Sequence, residues 1–306
     1  VGVPANTSLS AIEFLASKFS AVSLEEWQLR FDAKEILNSE GRVMLPHDSL
    51  KQESHIYYYR SVRDEPALPF KAQVIFQDEH LVVADKPHFM PVTPGGRYVQ
   101  QSLLVQLKQQ LNLPELSPIH RIDRETAGLV VFSVRAQDRN AYQELFRLKQ
   151  IEKTYEAIAG APETSPFNPQ FPLVHRSKMV EDAQFFRMRE MVLPEQMVLP
   201  EQKEPLEINS ETWIDCVELL KPEENCFVSK GSHSKALARY ALKPVTGQRH
   251  QLRVHMNSLG LPILNDQFYP KVILGPEETD TFDAPLKLLA KSIQFTDPLT
   301  GQDRFF

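Results

Sequence analysis

Apolar residues recur along this chain at two spacings, and the change from one to the other marks out its elements. Near the start, Ser8-Leu9-Ser10 precedes Phe14-Leu15 as a cap precedes a helix, and a second amphipathic helix is predicted over residues 24–37. Gly41-Arg42-Val43 then turns the chain into short strands that end at Ile56-Tyr57-Tyr58-Tyr59-Arg60. Residues 1–63 thus read as a small N-terminal module. Residues 64–69, with two prolines, open a main domain over 64–306 as its linker. There, Val74-Ile75-Phe76 and Leu81-Val82-Val83-Ala84 flank the polar turn Gln77-Asp78-Glu79-His80, a hairpin signal. Residues 87–96 form a loop with three prolines and a Gly-Gly pair, and residues 103–111 have helical spacing. Leu129-Val130-Val131-Phe132 is the β-branched run of a buried strand. Residues 136–149 predict a helix with Tyr142, Leu145 and Phe146 on one face, and residues 153–159 alternate as a strand. Strands and helices mix without the regular alternation of a parallel α/β sheet. An α+β fold is expected, with a mixed, mostly antiparallel central sheet and a cleft.

Composition changes this picture little. With 306 residues, 42% apolar and 24% charged, the chain is long enough for one large domain and a small one. No run of 18 apolar residues occurs, so no membrane span is expected, and Val1-Gly2-Val3-Pro4 does not open like a signal peptide. Cys216 and Cys226 are too few for a disulfide framework or a four-cysteine zinc site. A cytoplasmic protein fits these limits. A tandem hexapeptide, Met191 to Gln196 repeated as Met197 to Gln202, reads as a duplicated surface loop.

Charge matters more by place than by total. The net charge of −6 disfavours a polyanion partner, yet residues 228–271 carry seven Lys and Arg against one acid. Residues 181–225 just before them carry twelve acids against four bases. The stretch 230–271 is expected to form an RNA-binding surface, with 181–225 turned away from it. The competing reading is that Lys235 and Arg239 lie in a strand that faces the acidic stretch and neutralises it.

The segment richest in candidate chemistry runs from Ser117 to Ser133 and contains His120-Arg121-Ile122-Asp123-Arg124-Glu125-Thr126-Ala127-Gly128. A loop that feeds a buried strand can hold a carboxylate rigidly. On spacing alone, a charged turn in which Asp123 pairs with Arg121 or Arg124 is the simpler reading.

The string from His120 to Leu129 nevertheless resembles the H-R-L-D-x-x-T-S-G signature of the RluA-type pseudouridine synthases. Three more segments resemble that family in its order: Asp78-Glu79-His80 to Lys86-Pro87, Lys153-Thr154-Tyr155, and Thr246-Gly247-Gln248-Arg249-His250-Gln251-Leu252-Arg253-Val254-His255, followed by Gly260 and Asp266. The resemblance covers about residues 70–306. It departs at Gln248, where an Arg is common, and at Leu289, where a His is frequent.

The resemblance implies an isomerase that converts uridine in ribosomal or transfer RNA to pseudouridine, working as a monomer without cofactor or metal. Asp123 is its implied catalytic carboxylate, Arg253 the ion partner of that carboxylate, and Tyr155 the residue that stacks on the base. Arg121, Arg124, His120, Arg249 and His250 are the implied substrate contacts. His250 and His255 have no further clustered ligand that would suggest zinc. The N-terminal module weakly resembles an S4-type RNA-binding module. The rival readings are an RNA-binding or ribosome-assembly protein of the same fold that lacks catalysis, and a hydrolase that pairs Asp123 with Glu125, as glycosidases pair two carboxyls.

Overall fold

The computed structural model describes all residues except 6, 21, 59–64, 184–186, 192–206, 221–235 and 274–280. The chain divides into two compact units, Val1–Asp64 and Glu65–Phe306.

The first unit begins with helix α1 (Ala11–Lys18), where Ser10 and Glu13 form a reciprocal capping box. Helix α2 (Leu24–Asp32) starts at Ser23, whose hydroxyl accepts from the Glu26 N–H at 3.1 Å. The predicted helix over 24–37 is too long, and α2 stops at Asp32. Lys34 takes a left-handed φ of 60° that reverses the chain. Ile36–Leu37 becomes strand β1, paired antiparallel with β2 (Tyr57–Tyr58). Apolar side chains continue across the break, so periodicity alone does not reveal it. Trp27, Phe14, Leu15, Ile36 and Ile56 fill this unit's own core. Tyr59 and Arg60, expected at the end of the strand, lie outside the described residues.

The second unit is built on a ten-stranded sheet. Its strands are β3 (Gln73–Gln77), β4 (Leu81–Lys86), β5 (Ser117–Pro118), β6 (Ala127–Ser133), β7 (Glu152–Gly160) and β8 (Leu173–Ser177), then β11 (Ser210–Leu220), β12 (Leu237–Pro244), β13 (Leu288–Thr296) and β14 (Asp303–Phe305). The order is β3-β4-β6-β13-β7-β12-β11-β8, with β5 on β6 and β14 on β13. Strands β9 (Met179–Glu181) and β10 (Met188–Glu190) form a separate hairpin. Helices α3 (Leu103–Leu111), α4 (Arg139–Arg147) and α5 (Gln251–Ser258) complete the unit. The predicted helix over 136–149 begins as a 3-10 turn at Ala136–Asp138. The linker is anchored from its second residue, because the Glu65 carboxylate accepts from the backbone N–H groups of Val99, Gln100 and Gln101.

Every strand pair in the sheet is antiparallel except β6 with β13. This parallel junction joins the sheet's two halves, and one glycine makes it. Gly128 has φ +108°, and a Cβ there would lie 2.3 Å from the Ala290 carbonyl oxygen. Only glycine permits that approach. One apolar core lies on the β4–β6 side, with Val82, Val130 and Phe132, and another on the β7–β12 side, with Ala157, Tyr240 and Leu242. The loop that ends at this junction carries Asp123.

Candidate active site

The loop between β5 and β6 is fixed from both ends. The Ile119 N–H donates to the Val131 carbonyl, Ile119 and Ile122 are buried, and the Thr126 N–H closes a turn on the Asp123 carbonyl at 3.2 Å. Beneath it Lys86 at the end of β4 is fully buried, and its ammonium donates to the carbonyls of Pro87, Met90 and Arg124 at 2.7–3.1 Å. Burial pushes this lysine down to about 7, against the opposing pull of Glu125 and Asp123. Three well-placed acceptors suit an ammonium with three donors, so Lys86 serves to pin the loop.

Asp123 opens into a cavity of about 290 Å³ lined also by Arg121, Tyr155, His250 and Arg253. These residues lie far apart in sequence and meet because β6, β7 and α5 converge on the sheet junction. Arg253 is 1% exposed and is the hub. Its Nε and Nη2 donate to the two oxygens of Asp266 at 2.7 Å each. Its Nη1 reaches Asp123 and Glu125, each at 3.4 Å. The Phe268 and Tyr269 rings flank the guanidinium at 5.0 and 5.5 Å. Asp266 therefore orients Arg253, and Arg253 faces Asp123.

Burial alone would raise the Asp123 carboxyl, but His250 and Arg253, with Arg121, hold it below its ordinary range. The His250 contribution requires a protonated ring. Burial pushes His250 down, so at neutral pH Arg253 is the cation that keeps Asp123 charged. Burial, together with the Asp123 charge, pushes the Tyr155 phenol well above its ordinary range. Tyr155 thus meets a substrate as a neutral hydroxyl and an aromatic face.

The implied substrate contacts fare unequally. Arg121 is exposed and lines the cavity. Arg124 is engaged with the buried Glu125 at 3.0 Å and lies 5.7 Å over Tyr98. His120 lines the cavity wall, but its Nε2 accepts from the Val131 N–H at 3.1 Å and its ring stacks on Phe146. Burial and then Lys153 push it down to about 3, so it offers no positive charge to a phosphate. His250 is buried, stacked on Phe268 and bonded through Nδ1 to the Tyr269 hydroxyl at 3.1 Å. Arg249 reaches Glu181 at 3.4 Å. Asp266 and Glu125 gained no role from the sequence as partners of Arg253, because nothing in a linear motif says which acid an arginine will choose.

Two expectations need correction. Where the 230–271 stretch is described, its three arginines, Arg239, Arg249 and Arg253, are paired with neighbouring acids. Arg239 pairs with Glu156 at 3.1 Å and with Glu218 of the acidic stretch at 2.8 Å, because β12 lies between β7 and β11. Lys243 sits 5.0 Å over Trp213. Lys230, Lys235 and most of the hexapeptide duplication lie outside the described residues. His255 also has clustered neighbours, since His175 and Glu190 place ligand-type atoms within 4.8 Å of it and of one another. These groups already serve one another: His175 bonds Glu190 at 2.7 Å, and the His255 ring nitrogens meet the hydroxyls of Thr212, Ser210 and Ser177.

The chain is similar to several known proteins. The family profile described as RNA pseudouridylate synthase matches residues 80–258. An uncharacterized RNA pseudouridine synthase of Synechocystis is 25% identical over 84% of this chain and 78% of its own. The dual-specificity RNA pseudouridine synthase RluA of Escherichia coli K12 is 28% identical over 76% of this chain and 90% of its own. Among solved structures, human RNA pseudouridylate synthase domain containing 4 superposes with a TM-score of 0.53 at 25% identity, covering 76% of this chain and 86% of that one. With the profile spanning more than half of its residues, the chain belongs to the RNA pseudouridylate synthase family, whose members are isomerases.

Proposed function

We propose that Asp123 is the catalytic carboxylate of this RNA pseudouridine synthase and that ribosomal or transfer RNA in the cytoplasm is its substrate. The supporting observation is the convergence of Asp123, Arg253 and Tyr155 on one cavity from segments 32 and 98 residues apart. The reaction breaks the C1′–N1 bond of uridine, turns the base, joins C1′ to C5, and moves the C5 proton to N1. It is redox-neutral and needs no phosphoryl transfer. What it does need is an ionised carboxylate beside the sugar, as attacking group at C1′ or as base for a sugar proton. A carboxylate held charged by a fixed guanidinium meets that demand before substrate arrives. Tyr155 stacks on the base through its aromatic face, while Arg121 at the rim takes the place vacated in the helix. Extruding the uridine costs a few kcal/mol of unstacking, which contacts on the flanking strand offset.

Asp123→Asn keeps the shape and removes the charge. Tritium release from RNA labelled at uridine C5 should fall by about 10³-fold or more, with RNA affinity nearly unchanged. Wild-type release rates in this variant would exclude the assignment. Mapping pseudouridine in total RNA with and without the gene identifies the substrate, and no change in ribosomal or transfer RNA would refute that class.

A further inference from the structure

A second cavity, of about 580 Å³, adjoins the first. The two share Phe146, Lys153, Thr246, Gly247 and Gln248 as a common wall. Its remaining lining includes Arg147 at the end of α4, Lys149 in the turn after it, the polar Asn209 and Ser210, and Ile208 and Val245, exposed at 54% and 45%. The one acid there, Glu211, is held by Arg176 through two bonds of 2.9 and 3.3 Å. Among the described residues neither Lys149 nor Lys153 has a carboxylate within salt-bridge distance. Among the described residues Arg147 pairs only with Glu144, three residues earlier on the same helix. Such exposed pairs contribute little and yield readily to a stronger anion.

Lys153 is the informative residue. It stands two positions before Tyr155 on β7, in the wall between the cavities, and lies 5.7 Å from the centre of the Phe146 ring. Burial lowers its ammonium from the ordinary lysine value, with no acid to offset it. A desolvated cation without an anion is costly, unless the ligand brings the anion.

We propose that the second cavity seats the nucleotide adjoining the target uridine. Lys153 holds the phosphate between the two nucleotides, Lys149 and Arg147 take the next phosphates, and the neighbouring base rests on Phe146, Ile208 and Val245. The RNA strand therefore leaves the site across the α4–β7 turn, not across the paired cations of β12. This rests on the reading that the first cavity receives the uridine.

The test uses a fluorescein-labelled decamer of adenosines with one central uridine and the full chain. Fluorescence anisotropy gives affinity from about 50 to 300 mM KCl, with the slope of log affinity reporting phosphate contacts. For the triple variant Arg147→Gln, Lys149→Gln, Lys153→Gln, the slope should shrink by roughly 2, at about 0.7 per contact on a single strand. A neutral methylphosphonate at one of the two linkages flanking the uridine should weaken the wild type, while Lys153→Gln should bind both probes equally. An unchanged slope in a triple variant with unaltered Tm would overturn the proposal, as would equal methylphosphonate losses in wild type and Lys153→Gln. A preference of the cavity for an acidic peptide over the decamer would overturn it too. Tritium release reads the chemistry of the first cavity and anisotropy the grip of the second, so either can fail alone.

Discussion

The two adjoining cavities treat charge in opposite ways. In the first, Arg253 is almost wholly buried and bound to Asp266, Asp123 and Glu125, so the charges around Asp123 are paired before RNA arrives. In the second, Lys149 and Lys153 have no carboxylate within salt-bridge distance among the described residues. Chemistry gains from charges that need no rearrangement at the moment of reaction. Binding a polyanion gains from cations that the ligand itself neutralises. A count of Lys and Arg along the chain does not distinguish the two. The stretch richest in them, around β12 and α5, pairs Arg239, Arg249 and Arg253 with protein acids.

The contrast is open to breaking by substitution, and Arg253 gives the largest expected effect. Arg253→Met leaves three acids around a buried site without their cation, which should cost about 3–5 kcal/mol in urea unfolding. Lys149→Gln should change stability by less than about 0.5 kcal/mol while still weakening RNA. If the two variants unfold alike, the cavities are not different in kind.

The next effect is in pH. Burial and then Lys153 hold His120 down at about 3, and burial and then His175 hold His255 down at about 4. Both are near 6.5 once unfolded. The unfolded chain therefore binds more protons below that value, and the stability present above about pH 6.5 is lost as pH falls toward the folded values. Each histidine should remove about 2 kcal/mol by pH 5, measured by unfolding at fixed pH. His120→Gln should flatten the slope by one proton. A slope that His120→Gln leaves unchanged would show that this ring takes up a proton in the folded state.

The smallest effect belongs to Arg239, whose ion pairs with Glu156 and Glu218 are half-exposed. Arg239→Gln should cost under about 1 kcal/mol and leave the RNA salt slope unaltered. A flatter slope would return the RNA surface to β12.

Much of the fold was legible because local signals agree with the tertiary structure. The 74–84 hairpin, the 103–111 helix and the 129–132 strand all appear where alternation and periodicity place them. The 24–37 segment misled because β1 continues the apolar pattern after Lys34 has ended the helix. Of the candidate site, Asp123, Tyr155 and Arg253 were each nameable from short motifs, and the structure brings them to one cavity. Their supports were not. Asp266 acts through a bond 13 residues from Arg253, and Lys86 acts through a backbone carbonyl 38 residues away. Such contacts depend on which strands neighbour which, and the parallel junction at Gly128 decides that. Arg239 shows the same limit, since β12 must first be placed beside β11 before its acid partner is known.

That Asp123 works as a carboxylate kept ionised by Arg253, with His250 beside it taking no part as an acid or base, is tested most directly by the pH dependence of single-turnover pseudouridine formation. We predict a rate that is flat from about pH 5.5 to 7.5, because Asp123, held below its ordinary range, stays charged throughout and His250 transfers no proton in the reaction. A rate that falls on an ionisation near about 6.5, with the fold intact by circular dichroism, would contradict this and assign the essential proton to a histidine.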